Sequence, residues 1–156
     1  MEHVWTLFCK RAIIDRESNQ VSLIDAIETV LIDVSPTEAA AVANPGEKGT
    51  AIELEATLFS FWVRSRPDVP EMGAYRVSLV AADGSLVLPV NEKEMTARID
   101  LTEKQRVRTQ IKMTVLPFRG VGRYTFQMEQ GQGDGQWEVV ARVPYELTFE
   151  QPSTAP

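Results

Sequence analysis

From Thr109 to Phe149 apolar and polar residues take turns. Ile111, Met113 and Val115 alternate with Gln110, Lys112 and Thr114. Phe118-Arg119-Gly120-Val121-Gly122 breaks the run, and Tyr124, Phe126 and Met128 then alternate with Arg123, Thr125 and Gln127. Gly131 to Gly135 breaks it again before Val139, Ala141, Val143, Tyr145, Leu147 and Phe149. A period of two marks strands with one buried face, and glycine-rich breaks mark hairpins. The spacing therefore predicts three consecutive antiparallel strands. Their core side holds Tyr124, Phe126, Val143, Tyr145 and Leu147, joined by Leu7 and Leu54, with Thr125 and Glu146 exposed.

The same period runs through the rest of the chain. Val4 to Ile14 forms a strand with Trp5, Leu7 and Cys9 on one side and Val4, Phe8 and Ala12 on the other. Apolar residues on both faces call for cover on both. A polar turn over Asp15 to Gln20 leads into Val21 to Val34, so residues 4–34 predict one long hairpin. Its apolar set changes phase, from Val21 and Leu23 to Ile24, Ala26, Val30 and Ile32, which predicts a β-bulge near Asp25. Ser35-Pro36-Thr37-Glu38 has the form of a helix start, a capping box with proline at the first helical position. Asn44-Pro45-Gly46 would end that helix, and a segment so short is equally a loop.

Ala51 to Val63 is a strand whose end, Phe59, Phe61 and Trp62, is again apolar on both faces. Arg64 to Gly73 is a loop with two prolines. Tyr75 to Ala81, Leu86 to Val90 and Met95 to Leu101 supply three more strands, and Pro89 marks the middle one as a sheet edge. The total is eight or nine strands and at most one short helix. Strands at short, regular spacing predict an all-β fold, a two-sheet antiparallel β-sandwich, with a closed barrel as the alternative. Residues 1–150 form one domain and 151–156 a disordered tail.

Composition narrows the class of partner. The net charge of −6 repels phosphate backbones and anionic lipid, so neither nucleic acid nor a membrane is expected, although a local basic patch is compatible with it. No apolar run approaches the roughly 20 residues that span a bilayer. The start of the chain lacks the pattern of a signal peptide, and a single cysteine excludes an internal disulfide. Both point to the cytoplasm.

Candidate chemistry is sparse. His3 is the only histidine, which removes most histidine-based triads and zinc sites. Cys9 has no histidine neighbour or helix start to make it a thiolate, so it is a buried structural thiol. Glu53 and Glu55 share a strand face, where solvation is the ordinary role of acids. The glycines at 131–135 precede no helix and cradle no phosphate. Two arginine pairs, Arg64 with Arg66 and Arg119 with Arg123, stand at strand ends beside aromatics and could hold a carboxylate or phosphate, or simply be solvated. No catalytic residue, metal ligand or cofactor is indicated.

Leu7-Phe8-Cys9-Lys10-Arg11-Ala12 and Val21-Ser22-Leu23-Ile24-Asp25-Ala26-Ile27 resemble the opening hairpin of a group of small bacterial β-sandwich proteins of unknown function. Gly122-Arg123-Tyr124-Thr125-Phe126, with Val143-Pro144-Tyr145, is similar to that group's closing hairpin. The resemblance implies a fold and carries no activity or site residue.

Two functions follow as expectations. The first is a non-enzymatic module that presents loops or a sheet edge to a protein partner, or to a second copy in a homodimer. The alternative is a hydrolase or isomerase with a carboxylate-based site in a sandwich cleft. The missing histidine chemistry favours the first.

Overall fold

In the computed structural model, residues 1–33, 50–88 and 96–150 are described. They form ten strands: β1 (Glu2–Ile14), β2 (Val21–Ala26), β3 (Thr29–Asp33), β4 (Thr50–Val63), β5 (Met72–Ala81), β6 (Leu86–Leu88), β7 (Thr96–Asp100), β8 (Arg106–Phe118), β9 (Gly122–Gly131) and β10 (Trp137–Glu150). One sheet has the order β2-β1-β4-β8 and the other β3-β10-β9-β5-β6, with β7 also paired to β5. β9 takes one edge of β5, and β6 and β7 share the other end to end. The all-β two-sheet sandwich expected from the alternation is the observed architecture. The expected helix near residues 36–44 and the tail at 151–156 fall outside the described residues, as does Pro89.

The inner faces meet in one core. Phe8, Leu58, Trp62 and Leu116 come from the four-stranded sheet; Leu79, Tyr124, Phe126, Tyr145 and Leu147 come from the other, all at most 2% exposed. Phe8 sets its edge against Phe126 at 5.1 Å and leans on Tyr145 at 5.5 Å, so the two sheets touch through aromatic rings. Such pairs add about 0.5–1.5 kcal/mol each beyond the apolar area they bury. Leu7, Leu54 and Val143, expected in the core, are only half-buried, and Thr125 is half-buried rather than exposed, while Glu146 is exposed. Leu7 pairs with Phe59 on the outer face of its sheet, which is why it stays out of the core.

Three expectations about strand arrangement are corrected. Residues 4–34 are not one hairpin with a bulge. The chain changes sheets between Ile27 and Thr29, just past Asp25, which sits in the left-handed region at φ 52°. Ile27 still donates its N–H to the Phe8 carbonyl, and β3 then runs parallel to β10 from Thr29 opposite Glu146. Ile24 and Ala26 still belong to β2 in unbroken register with β1, and only Val30 and Ile32 lie in the other sheet; the sandwich contains this parallel pair among antiparallel ones.

Likewise, Thr109 to Phe149 is not a run of three paired strands. β8 pairs with β4, and only β9 and β10 form the expected hairpin. Between β8 and β9 the chain turns a corner from sheet to sheet, with Gly120 at φ 105° and Gly122 at φ 139°. Those angles suit glycine alone at low cost. The Tyr124 hydroxyl fastens the corner: it donates to the Gly120 carbonyl at 2.6 Å and accepts the Arg119 N–H at 2.9 Å. A tyrosine at a strand start bonded to backbone a few residues upstream is a known device of β-sandwich corners.

The third correction is local. Val115 was expected to share the buried face of Ile111 and Met113, but it is 51% exposed, and Leu116 and Phe118 are buried instead. The register with β4 slips between Glu53 and Ala56, so the faces exchange there.

Candidate functional site

β8 lies at the end of the four-stranded sheet, and among the described residues no strand pairs with its far edge. Its outward row comes from alternation: Arg106, Arg108, Gln110 and Lys112 stand opposite Val63, Phe61, Phe59 and Thr57 of β4. Its inward row, Val107, Thr109 and Ile111, stands opposite Trp62, Ser60 and Leu58. Trp62 Nε1 donates to Thr109 Oγ1 at 3.2 Å, which ties the inward row to the core. The outward row is thus three cations within seven residues of one edge strand.

Aromatic residues flank that row. Trp5 of β1 stacks on Phe59 at 5.5 Å with planes 23° apart and leans on Phe61 at 5.9 Å. The Arg108 guanidinium lies 5.9 Å from the Phe61 ring centroid and donates to Asn19 Oδ1 at 2.6 Å. Phe59 is fully buried on this outer face, whereas Trp5 is 37% exposed. A hollow of about 480 Å³ has Lys104, Arg106 and Arg108 on its walls. An adjoining hollow of about 320 Å³ shares Arg108 and Asn19 with it and reaches Trp5 and Phe61. Neither Arg106 nor Lys112 has an acidic partner within salt-bridge distance among the described residues.

The four arginines singled out from sequence are placed apart in function. Arg64 spends its donors on backbone: Nε on the Leu101 carbonyl at 2.6 Å, Nη1 on that of Pro67 at 2.8 Å, and Nη2 on that of Thr102. It pins two loops together. Arg66 is exposed, and its carbonyl accepts the Val69 N–H in the same loop. Arg119 is exposed at the β8–β9 corner. Its charge contributes, after hydrogen bonds from Ser85, to holding the Asp83 carboxyl below its ordinary range. Arg123 stands opposite Glu146 across the β9–β10 ladder. With Glu28 they line a hollow of about 360 Å³ whose other walls are Leu7, Ile27 and Val143. Two acids beside Arg123 make this hollow unfavourable for an anion, because they repel it at short range.

The remaining candidates have structural surroundings. His3 brings its ring edge to Trp62 at 4.9 Å and its Nε2 to Thr6 Oγ1 at 2.7 Å. Burial lowers its pKa, against a weaker opposing backbone hydrogen bond at Trp5. Cys9 is fully buried, its Sγ 3.4 Å from the Arg11 carbonyl and 3.6 Å from that of Thr57, and burial pushes the thiol up. Glu53 and Glu55 are both exposed on β4. No group of three or more His, Cys, Asp or Glu side chains suited to a metal ion occurs among the described residues. Nor is any helix there long and apolar enough to cross a membrane.

The cation row on β8 is absent from the residues singled out by sequence. Its signal was present, since Arg106, Arg108 and Lys112 share parity in an alternating run. Seeing it required knowing that the strand begins at Arg106 and ends its sheet. No family model matches the chain. No curated protein matches it either.

Proposed function

We propose that this protein is a non-enzymatic binding module of the cytoplasm, presenting the outer face and free edge of its four-stranded sheet to a protein partner. Trp5 carries the reading. A tryptophan held against buried Phe59 yet 37% exposed is a pre-positioned apolar anchor, the kind of side chain that dominates binding interfaces. The alternative, a carboxylate hydrolase, needs an acid whose pKa is raised so that it can donate a proton. Asp15, Glu71, Asp83 and Asp100 are all shifted the other way. A photoreactive phenylalanine analogue at position 5, with Arg142 on the outer face of the other sheet as control position, tests the reading in cell extract. Irradiation should give a discrete protein adduct from position 5 and none from 142. Equal yields from both positions, or none from either, would overturn it.

A further inference from the structure

We propose that the free edge of β8 accepts an extended acidic segment of a partner protein as an added fifth strand, its acids meeting Arg106, Arg108 and Lys112. The inference rests on the binding-module reading and names the edge and the chemistry of its occupant. An unpaired strand edge offers a row of N–H and C=O groups to another chain, and β-strand addition is a recurrent mode of peptide recognition. β8 is thirteen residues long, and β6 approaches it from the facing sheet without hydrogen-bonding to it. The alternation of β8 dictates the guest. Side chains on the outer face would stand beside Arg106, Arg108 and Lys112, and those on the inner face beside half-buried Val107 and Ile111. An incoming strand that alternates acidic and apolar residues satisfies both rows.

Charge disfavours a second copy of the same chain over the first half of this edge. Residues opposite each other in a symmetric antiparallel pair share a sheet face. A pair centred on any residue from Arg106 to Gln110 sets one of Arg106, Arg108 and Lys112 against another or against itself. Like charges directly opposite destabilise a sheet. Nucleic acid would also meet these cations, but the net charge of −6 opposes its approach. The net charge opposes an acidic protein segment as well, but such a segment avoids like-charge pairing and, unlike nucleic acid, brings peptide N–H and C=O groups to complete the strand edge.

The test uses the full chain and a fluorescein-labelled eight-residue peptide of alternating glutamate and valine. Fluorescence anisotropy should show saturable binding, weakened roughly tenfold or more by Arg106→Glu with Arg108→Glu, and weakened by added salt. Lys112→Glu serves as the second variant should the double variant melt early. The same peptide N-methylated at alternate residues should lose binding, because strand addition depends on main-chain hydrogen bonds. Retained binding of the methylated peptide would overturn strand addition. Equal binding of a lysine–valine peptide, or tighter binding of an oligothymidylate lost in the same variants, would overturn the acidic occupant. If the crosslinker at position 5 still captures a partner while the glutamate peptide does not bind, the β8 inference fails and the binding-module reading stands.

Discussion

Tyr124 and Tyr145 stack at 5.5 Å with their planes 17° apart, yet among the described residues only one of the two hydroxyls is partnered. Tyr124 fastens the β8–β9 corner, whereas the buried Tyr145 hydroxyl has no hydrogen-bond partner among the described residues. Burial first, and then the neighbouring Tyr124, push the Tyr145 phenol far above its ordinary range. An unsatisfied buried hydroxyl costs roughly 1–3 kcal/mol. Tyr145→Phe should therefore be neutral or stabilising, while Tyr124→Phe strands the Gly120 carbonyl and Arg119 N–H and should cost about 1–3 kcal/mol. Urea denaturation of both variants checks this. A Tyr145→Phe loss as large as that of Tyr124→Phe would show that the first hydroxyl is bonded after all.

That pair also shows how far the sequence could be read. Both tyrosines stood out as core from alternation alone, because burial on one face of a strand leaves a period of two. Which sheet each strand joins left no such trace. Val21 to Asp33 and Thr109 to Met128 look continuous in sequence, since a chain that changes sheets keeps its inward and outward alternation and merely shifts phase. Asp25 stands just before one of those places and the Gly120–Gly122 pair at the other, but a phase slip reads equally as a bulge and a glycine turn equally as a hairpin. The candidate site depended on the same missing fact. Arg106, Arg108 and Lys112 become an edge row only once β8 is known to lie beside β4 and not beside β9.

Arg64 illustrates the opposite case, a residue that looked like a ligand clamp and is bound up in its own fold. Its guanidinium bonds to carbonyls at Leu101, Pro67 and Thr102 and so joins the loop after β4 to the loop after β7. Arg64→Ala should lower stability by about 2 kcal/mol, and Arg64→Lys should recover only part, because an ammonium cannot reach three carbonyls in a planar fork. Thermal unfolding of the three proteins measures this. Full recovery by lysine would mean that charge alone, and not the fork, matters at this position.

Cys9 should behave as a protected thiol. Attack on a disulfide reagent requires thiolate, and burial both raises the thiol pKa and blocks access. At pH 8 the native protein should react with Ellman's reagent slowly and the urea-unfolded protein quickly. Rapid stoichiometric reaction of the native form would refute the buried placement and reopen Cys9 as a nucleophile.

His3 gives the one pH dependence whose source is unique, since the chain has a single histidine. Its imidazole packs against Trp62 and pairs with Thr6, and burial, the larger effect, holds its pKa below the ordinary 6.5. Folding therefore favours the neutral ring. As pH falls, the unfolded chain takes up the proton first, so it binds more protons than the native state and stability declines. The contribution of His3 is fully present above about pH 6.5 and is lost as pH falls through the lowered native pKa. Urea titrations at pH 7.5 and 5.5 should show a larger loss for the native sequence than for His3→Asn. The imidazole resonances should titrate below 6.5 in the folded protein. A native pKa at or above that value would place the ring in solvent and undo its packing on Trp62.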